Sequence, residues 1–299
     1  MSLSLLPPFD RHPPQFVRVN QHQTAYIRYG NGPPVVLLHG YAGAIWNWEH
    51  QIDTLGQHVT LFIPDVLGQG LSDKPRVAFT PALYMDWLRG FLDAMDIQRA
   101  TVIGHSMGAG LALGLASTHP DRVDRLILIS GFPGNLLSHI RSSHLRRLYH
   151  LRSGLLFGLG YRLLGRRAFR KFLGGLVWDR SLISPAVIER AYRLRKEHGK
   201  AWPLWSSLTH VPDWENQYAP RLRAVTALTL ILWGRDDRFL PASAGEEIHR
   251  TLHGSRLAVL PNTGHLPMWE RPDEVNRLII EFLAAGPVAE PPCASTSSA

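Results

Sequence analysis

The chain has 299 residues, 45% hydrophobic and 19% charged, the composition of a globular protein able to bury a large core. No stretch reaches the roughly 18 uninterrupted apolar residues of a spanning helix, and the single cysteine, Cys293, excludes an intramolecular disulfide. The net charge of +8 is uneven: from Gly134 to Lys200 fifteen Lys and Arg stand against three acids, a surplus of +12, so the rest of the chain is slightly acidic.

The first residues, "MSLSLLPPFDRHPPQF", lack the basic start and apolar run of a secretory leader, and a cytoplasmic location is expected. "QFVRVN" and "TAYIRYG" alternate as an antiparallel pair, and "PPVVLLHG" follows as a buried strand. Short apolar runs then alternate with helical patterns: "VTLFIPD", "ATVIGHS", "VDRLILIS", "LTLILWG" and "SRLAVLP" as strands, "YMDWLRGFLDAM" and "MGAGLALGLASTHP" among the helices. This order predicts an α/β fold whose mostly parallel, eight-stranded sheet is covered by helices on both faces.

The alternation breaks between Ser130 and Leu228, where the sequence is basic, leucine-rich and helical in character. A helical insertion after the sixth strand would sit over the carboxyl ends of the strands, where open α/β sheets place their sites. The expected division is a core of residues 1–133 and 223–285, a helical cap over 134–222, and a disordered tail over 286–299.

Within "TVIGHSMGAGLAL", residues Gly104 to Gly108 fit G-x-S-x-G, which puts Ser106 on a strained strand-to-helix bend. A serine hydroxyl is a weak nucleophile near neutral pH and needs a base, a group to orient the base, and donors for the oxyanion. "WGRDDRFLP" supplies Asp236 and Asp237 after the seventh strand, and His265 lies between the last strand and the last helix. The Gly-x-Gly of "DVLGQGLSDKP" lacks a following Lys-Ser or Lys-Thr and reads as a structural turn, not a nucleotide loop. His139, His144 and His150 lack partners at metal-ligand spacing, so no metal is expected, and neither a cofactor nor nucleic acid is implied.

Together "LLHGYAG", "DVLGQGLSDKP", "GHSMG", "WGRDDRFLP" and "NTGHLPMWERPDEVN" resemble the α/β-hydrolase superfamily over nearly the whole chain outside the cap interior and the ends. The resemblance implies Ser106 as nucleophile, His265 as general base and then acid, and Asp237, three residues after Gly234, as the group holding the imidazole; Asp236 is the alternative. It also implies an oxyanion hole from the backbone N–H groups of Tyr41 and Met107, with Ala42 as the substitute for Tyr41, and structural roles for His39 and His105. A serine at the elbow sets the chain apart from the superfamily's dehalogenases and epoxide hydrolases, which carry aspartate there.

The leading expectation is a serine carboxylesterase for an ester with an apolar acyl or alcohol part, with Phe157, Tyr161, Phe169, Phe172, Trp178, Trp202 and Trp205 as candidate pocket walls. The alternative is hydrolysis of a carbon–carbon bond beside a ketone. "LVWDRSLISPAVIERAYRLR" is similar to the meta-cleavage product hydrolases, whose cap arginine for the substrate carboxylate would correspond to Arg190. Leu266 departs from that subgroup, which often has tryptophan after its histidine. A third reading, a non-catalytic binding scaffold, fits poorly with a complete set of triad residues. The basic cap reads first as amphipathic helices with Leu, Phe and Tyr facing the site and Arg facing water; the alternative is a peripheral contact with anionic membrane.

Overall fold

The computed structural model describes residues 8–131, 153–196 and 199–285; the expected start of the insertion at 134, the histidines at 139, 144 and 150, and the expected tail lie outside them. Eight strands form one sheet: β1 (Gln15–Val19), β2 (His22–Tyr29), β3 (Pro34–Leu38), β4 (Thr60–Pro64), β5 (Ala100–His105), β6 (Val123–Ile129), β7 (Leu228–Gly234) and β8 (Arg256–Leu260). Their spatial order is β1-β2-β4-β3-β5-β6-β7-β8. The β1–β2 and β2–β4 pairs are antiparallel and the others parallel.

Helices α1 (Ile52–Leu55), α2 (Pro81–Ala94) and α3 (Met107–Thr118) connect the first six strands. Between β6 and β7 the described chain is helical: α4 (Gly154–Leu163), α5 (Arg166–Leu176), α6 (Pro185–Lys196), α7 (Ala201–Thr209) and α8 (Val211–Tyr218). The fold closes with α9 (Ala242–Thr251), α10 (Pro267–Glu270) and α11 (Pro272–Ala284). Local chemistry sets several of these starts. Thr80 caps α2 by accepting the Leu83 N–H, with Pro81 opening the helix, and Ser153 accepts the Leu156 N–H at the start of α4.

The inner strands β3, β4 and β5 are buried at nearly every position because both faces are covered, whereas β1 and β2 at the sheet edge carry exposed polar residues. Val36, Leu38 and Val102 face α2, α3 and α9, while Val35, Leu37 and Ile103 face α1 and α11. The parallel register aligns the strand ends: Leu38 pairs with Gly104, His105 with Ile129, Ile129 with Leu232, and Gly234 with Leu260. Loops that follow β3, β5, β7 and β8 therefore emerge at one edge of the sheet, and that edge lies under α4, α5 and α7.

Candidate active site

Ser106 occupies the bend between β5 and α3 with φ 53 and ψ −116. Such a backbone costs on the order of 1–3 kcal/mol and persists only where its surroundings enforce it. Here the Ser106 N–H donates to the Ile129 carbonyl at 2.9 Å. The start of α3 lies so close to β3 that a Cβ on Gly108 would come within 2.1 Å of the Leu38 carbonyl oxygen. Only glycine lets the helix begin there, and the bend lifts the serine hydroxyl out of the sheet.

Three side chains from three loops meet at this point. The Ser106 hydroxyl lies 3.1 Å from His265 Nε2, and His265 Nδ1 lies 2.7 Å from Asp237 Oδ2. The other carboxylate oxygen of Asp237 accepts the Phe239 and Leu240 N–H groups at 2.7 and 2.9 Å, so the acid is held on both sides. Asp236 sits outside the relay; its N–H donates to the Thr263 carbonyl. Because Nδ1 donates to Asp237, Nε2 is left to accept the serine proton.

Two further histidines hold main chain around the relay. His105 donates from Nε2 to the His265 carbonyl at 2.8 Å, and burial, helped by the nearby His265, keeps it neutral by pushing its pKa well down. His39 accepts the Val66 N–H at Nε2 and donates from Nδ1 to the Gly40 carbonyl. Burial brings its pKa down to about 4 from 6.5, against the Gly40 hydrogen bond and with the Lys200 charge. In the unfolded chain that imidazole takes a proton below about 6.5. The stability carried by neutral His39 is therefore full above pH 6.5 and lost between 6.5 and 4, a loss of about 3 kcal/mol. Asp65, held up to about 6 by its burial, works in the opposite direction. The difference in unfolding free energy between wild type and His39→Gln reports the histidine together with its effect on Asp65, whose carboxylate lies 3.8 Å from Nε2. It should shrink as urea titrations are moved from pH 7 to pH 4, and a constant gap would mean that His39 is not held neutral.

The loop after β3 reaches Ser106. A Cβ on Gly40 would lie 3.1 Å from the Ser106 Cβ, so Tyr41 and Ala42 stand beside the serine. Ala42 adopts φ 59, and the Tyr41 phenol donates to the Leu204 carbonyl of α7 at 2.9 Å, which fixes the turn. Met107, as the first residue of α3, has a backbone N–H with no acceptor within its own helix. The "DVLGQG" turn ties into the same loops through Asp65, whose carboxylate accepts the Ile45 and Leu71 N–H groups at 2.7 and 2.6 Å. Gly70 has φ +53, and a Cβ there would fall into the Asp65 carboxylate, so this Gly-x-Gly serves the turn.

The relay opens into a cavity of about 220 Å³. Phe157, Tyr161, Phe169 and Phe172 from α4 and α5 wall it, as expected. The three tryptophans expected with them do not. Trp178 is exposed, Trp202 donates to the Val77 carbonyl under the Arg76 guanidinium, and Trp205 packs on Gly154. Arg190 also corrects an expectation. Its guanidinium is clamped by both oxygens of Glu49 at 2.6 and 2.7 Å, rests against the rings of Trp46 and Trp269, and does not line the cavity. Among the described residues, Lys200 is the only lysine or arginine that does line it, and it is 7% exposed.

Sequence reasoning missed Lys200, Glu49 and Glu270. Glu270, on α10, accepts the N–H groups of Gly264 at 2.7 Å, Trp178 at 2.5 Å and Asp179 at 3.3 Å; burial raises its pKa while these bonds lower it. The His265 N–H donates to the Leu176 carbonyl at 2.7 Å. The histidine loop and the end of α5 are thus stitched together. Glu270's place five residues after His265, within one sequence motif, was the signal available for it.

Among the described residues, no group of three or more His, Cys, Asp or Glu is arranged to hold a metal ion. No helix among them is long and apolar enough to cross a membrane.

The family described as "alpha/beta hydrolase fold" matches residues 33–272. The chain belongs to this family. The hydrolase is 28% identical to a 2-hydroxy-6-oxo-6-phenylhexa-2,4-dienoate hydrolase of Burkholderia cepacia, over 91% of this chain and 96% of that one. The solved meta-cleavage product hydrolase of Pseudomonas fluorescens IP01 superposes on the hydrolase with a TM-score of 0.77 at 25% identity, over 90% of this chain and 97% of the other. A solved membrane phospholipase A, also 25% identical, gives a TM-score of 0.74 over 91% of this chain and 86% of its own.

Proposed function

We propose that this hydrolase cleaves the carbon–carbon bond beside a ketone in an acid with an apolar end, through nucleophilic attack by Ser106. The observation that carries the reading is a serine relay opening into an aromatic cavity with Lys200 as its lysine among the described walls. The relatives support it: a 2-hydroxy-6-oxo-6-phenylhexa-2,4-dienoate carries a carboxylate at one end, a phenyl ketone at the other, and no ester for water to cleave.

In this reading His265 Nε2 takes the Ser106 proton as Oγ attacks the carbonyl carbon, and Asp237 holds the imidazolium that forms. The Tyr41 and Met107 N–H groups receive the oxyanion, each contributing about 3 kcal/mol to the transition state. The tetrahedral adduct collapses, the bond to the neighbouring carbon breaks, and His265 passes its proton to the departing carbon. Water, deprotonated by His265, then releases the acyl group from Ser106.

Lys200 takes the place that Arg190 cannot fill, meeting the substrate carboxylate. Lys200→Met should raise KM for a ring-fission dienoate by about tenfold or more, while leaving KM for an uncharged p-nitrophenyl ester nearly unchanged. Equal effects on both substrates would remove the lysine from acid recognition.

A second reading is hydrolysis of an apolar carboxylic ester. The Arg190–Glu49 clamp, Leu266 after His265 and the likeness to a phospholipase support it. The same relay serves both bonds, with His265 protonating an alkoxide in place of a carbon. Decay of dienoate absorbance and release of p-nitrophenol, measured side by side on purified enzyme, separate the two. Turnover of esters without any dienoate decay would replace the first reading by the second.

A further inference from the structure

The two sides of α4 present opposite faces to one problem. Its inner side places Phe157 and Tyr161, stacked at 6.1 Å, on the wall of the cavity. Its outer side should be polar if water were its only neighbour. Instead Leu155, Leu156, Leu159 and Leu163 are exposed at 82, 56, 52 and 72%. A single charged residue, Arg162, occurs in its ten residues. The next helix, α5, begins with Arg166 and Arg167 and carries exposed Arg170 and Lys171 one turn on. A leucine face followed directly by a basic one is the pattern of a helix that lies in a lipid interface.

We propose that the outer face of α4, with the arginines that open α5, docks on the surface of an anionic lipid bilayer. Ten residues make a helix about 15 Å long, half the thickness of a bilayer core, so α4 would lie in the interface and not cross it. Charge selects lipid over a second copy of the chain. A two-fold contact through this face would bring the same basic clusters together, within a segment whose surplus is +12. Phosphate headgroups meet that charge, and acyl chains meet the leucines. Docking would set the bilayer one helix diameter, about 10 Å, from the catalytic cavity. Apolar substrate dissolved in the membrane would then reach Ser106 from the lipid side. This inference is independent of which bond the enzyme cleaves.

The test is co-sedimentation of the full chain with vesicles of phosphatidylcholine alone and of phosphatidylcholine mixed with phosphatidylglycerol, each at low and high salt. Wild type should bind the mixed vesicles about tenfold or more tightly than the neutral ones, and high salt should weaken that binding. A Leu155→Ser, Leu159→Ser, Leu163→Ser variant should lose binding by more than about tenfold while its turnover of a soluble p-nitrophenyl ester stays at the wild-type rate. Arg167→Glu with Arg170→Glu should abolish the preference for the anionic vesicles. The proposal is overturned if wild type stays in the supernatant, if the triple-serine variant sediments like wild type, or if analytical ultracentrifugation shows a dimer that the same variant dissolves.

Discussion

Replacing Ser106 by alanine should lower kcat by about 10⁴ to 10⁶-fold on any substrate that wild type turns over. The relay explains the size of the loss. His265 Nε2, 3.1 Å from the hydroxyl, would have nothing to deprotonate, and water would have to attack in place of Oγ. The remaining rate would come from cavity binding and oxyanion donors alone. The substitution removes one oxygen from the bend and leaves the Ser106 N–H bond to Ile129 in place, so the thermal midpoint should move little. Labelling by a fluorophosphonate should vanish with activity. A variant that kept more than about a tenth of the wild-type rate would be incompatible with Ser106 as nucleophile.

The second large effect concerns stability. Glu49→Ala should destabilise the fold by about 3–5 kcal/mol, because it strands the Arg190 guanidinium in a site where its side chain is only 6% exposed. The pair spans 141 residues of sequence and joins α6 to the 3₁₀ turn after β3. The cation also lies against both Trp46 and Trp269, whose rings meet edge to face, so leaving for water would cost it both contacts. Removing both charges at once, as Glu49→Leu with Arg190→Met, should recover most of the loss. Urea unfolding of the two single variants and the double variant measures the coupling. A cost under about 1 kcal/mol for Glu49→Ala would mean that the pair behaves like an exposed one.

The sheet and the relay were legible in sequence for a shared reason. In a parallel sheet the chain must return to the same edge after each crossover, so residues just after β5, β7 and β8 become neighbours although they are distant in sequence. Ser106, Asp237 and His265 each follow a strand directly, and strand ends can be read from apolar runs. The cavity wall was less legible. Aromatic content marked the insertion as apolar, but which face of a helix carries Phe157 or Trp205 depends on how helices pack against one another. Arg190 shows the limit most clearly. Its position matched an expected substrate contact, and nothing local to it signals that Glu49, on another element, holds it. Lys200 escaped notice for the converse reason: it precedes α7 in a turn, and only the fold puts it against the cavity.

The bond from the His265 N–H to the Leu176 carbonyl has a mechanical consequence. Glu270 reinforces it by gripping Gly264 on one side and Trp178 with Asp179 on the other. Lifting the end of α5 away from the sheet would therefore pull on the histidine loop and spoil the alignment of His265 with Ser106. An entrance that opened at this edge would be silent for as long as it stayed open. Traffic of substrate and product that keeps the enzyme poised is expected at another side of the cavity, where α4 packs on α7 and has no tie to the histidine loop through Glu270.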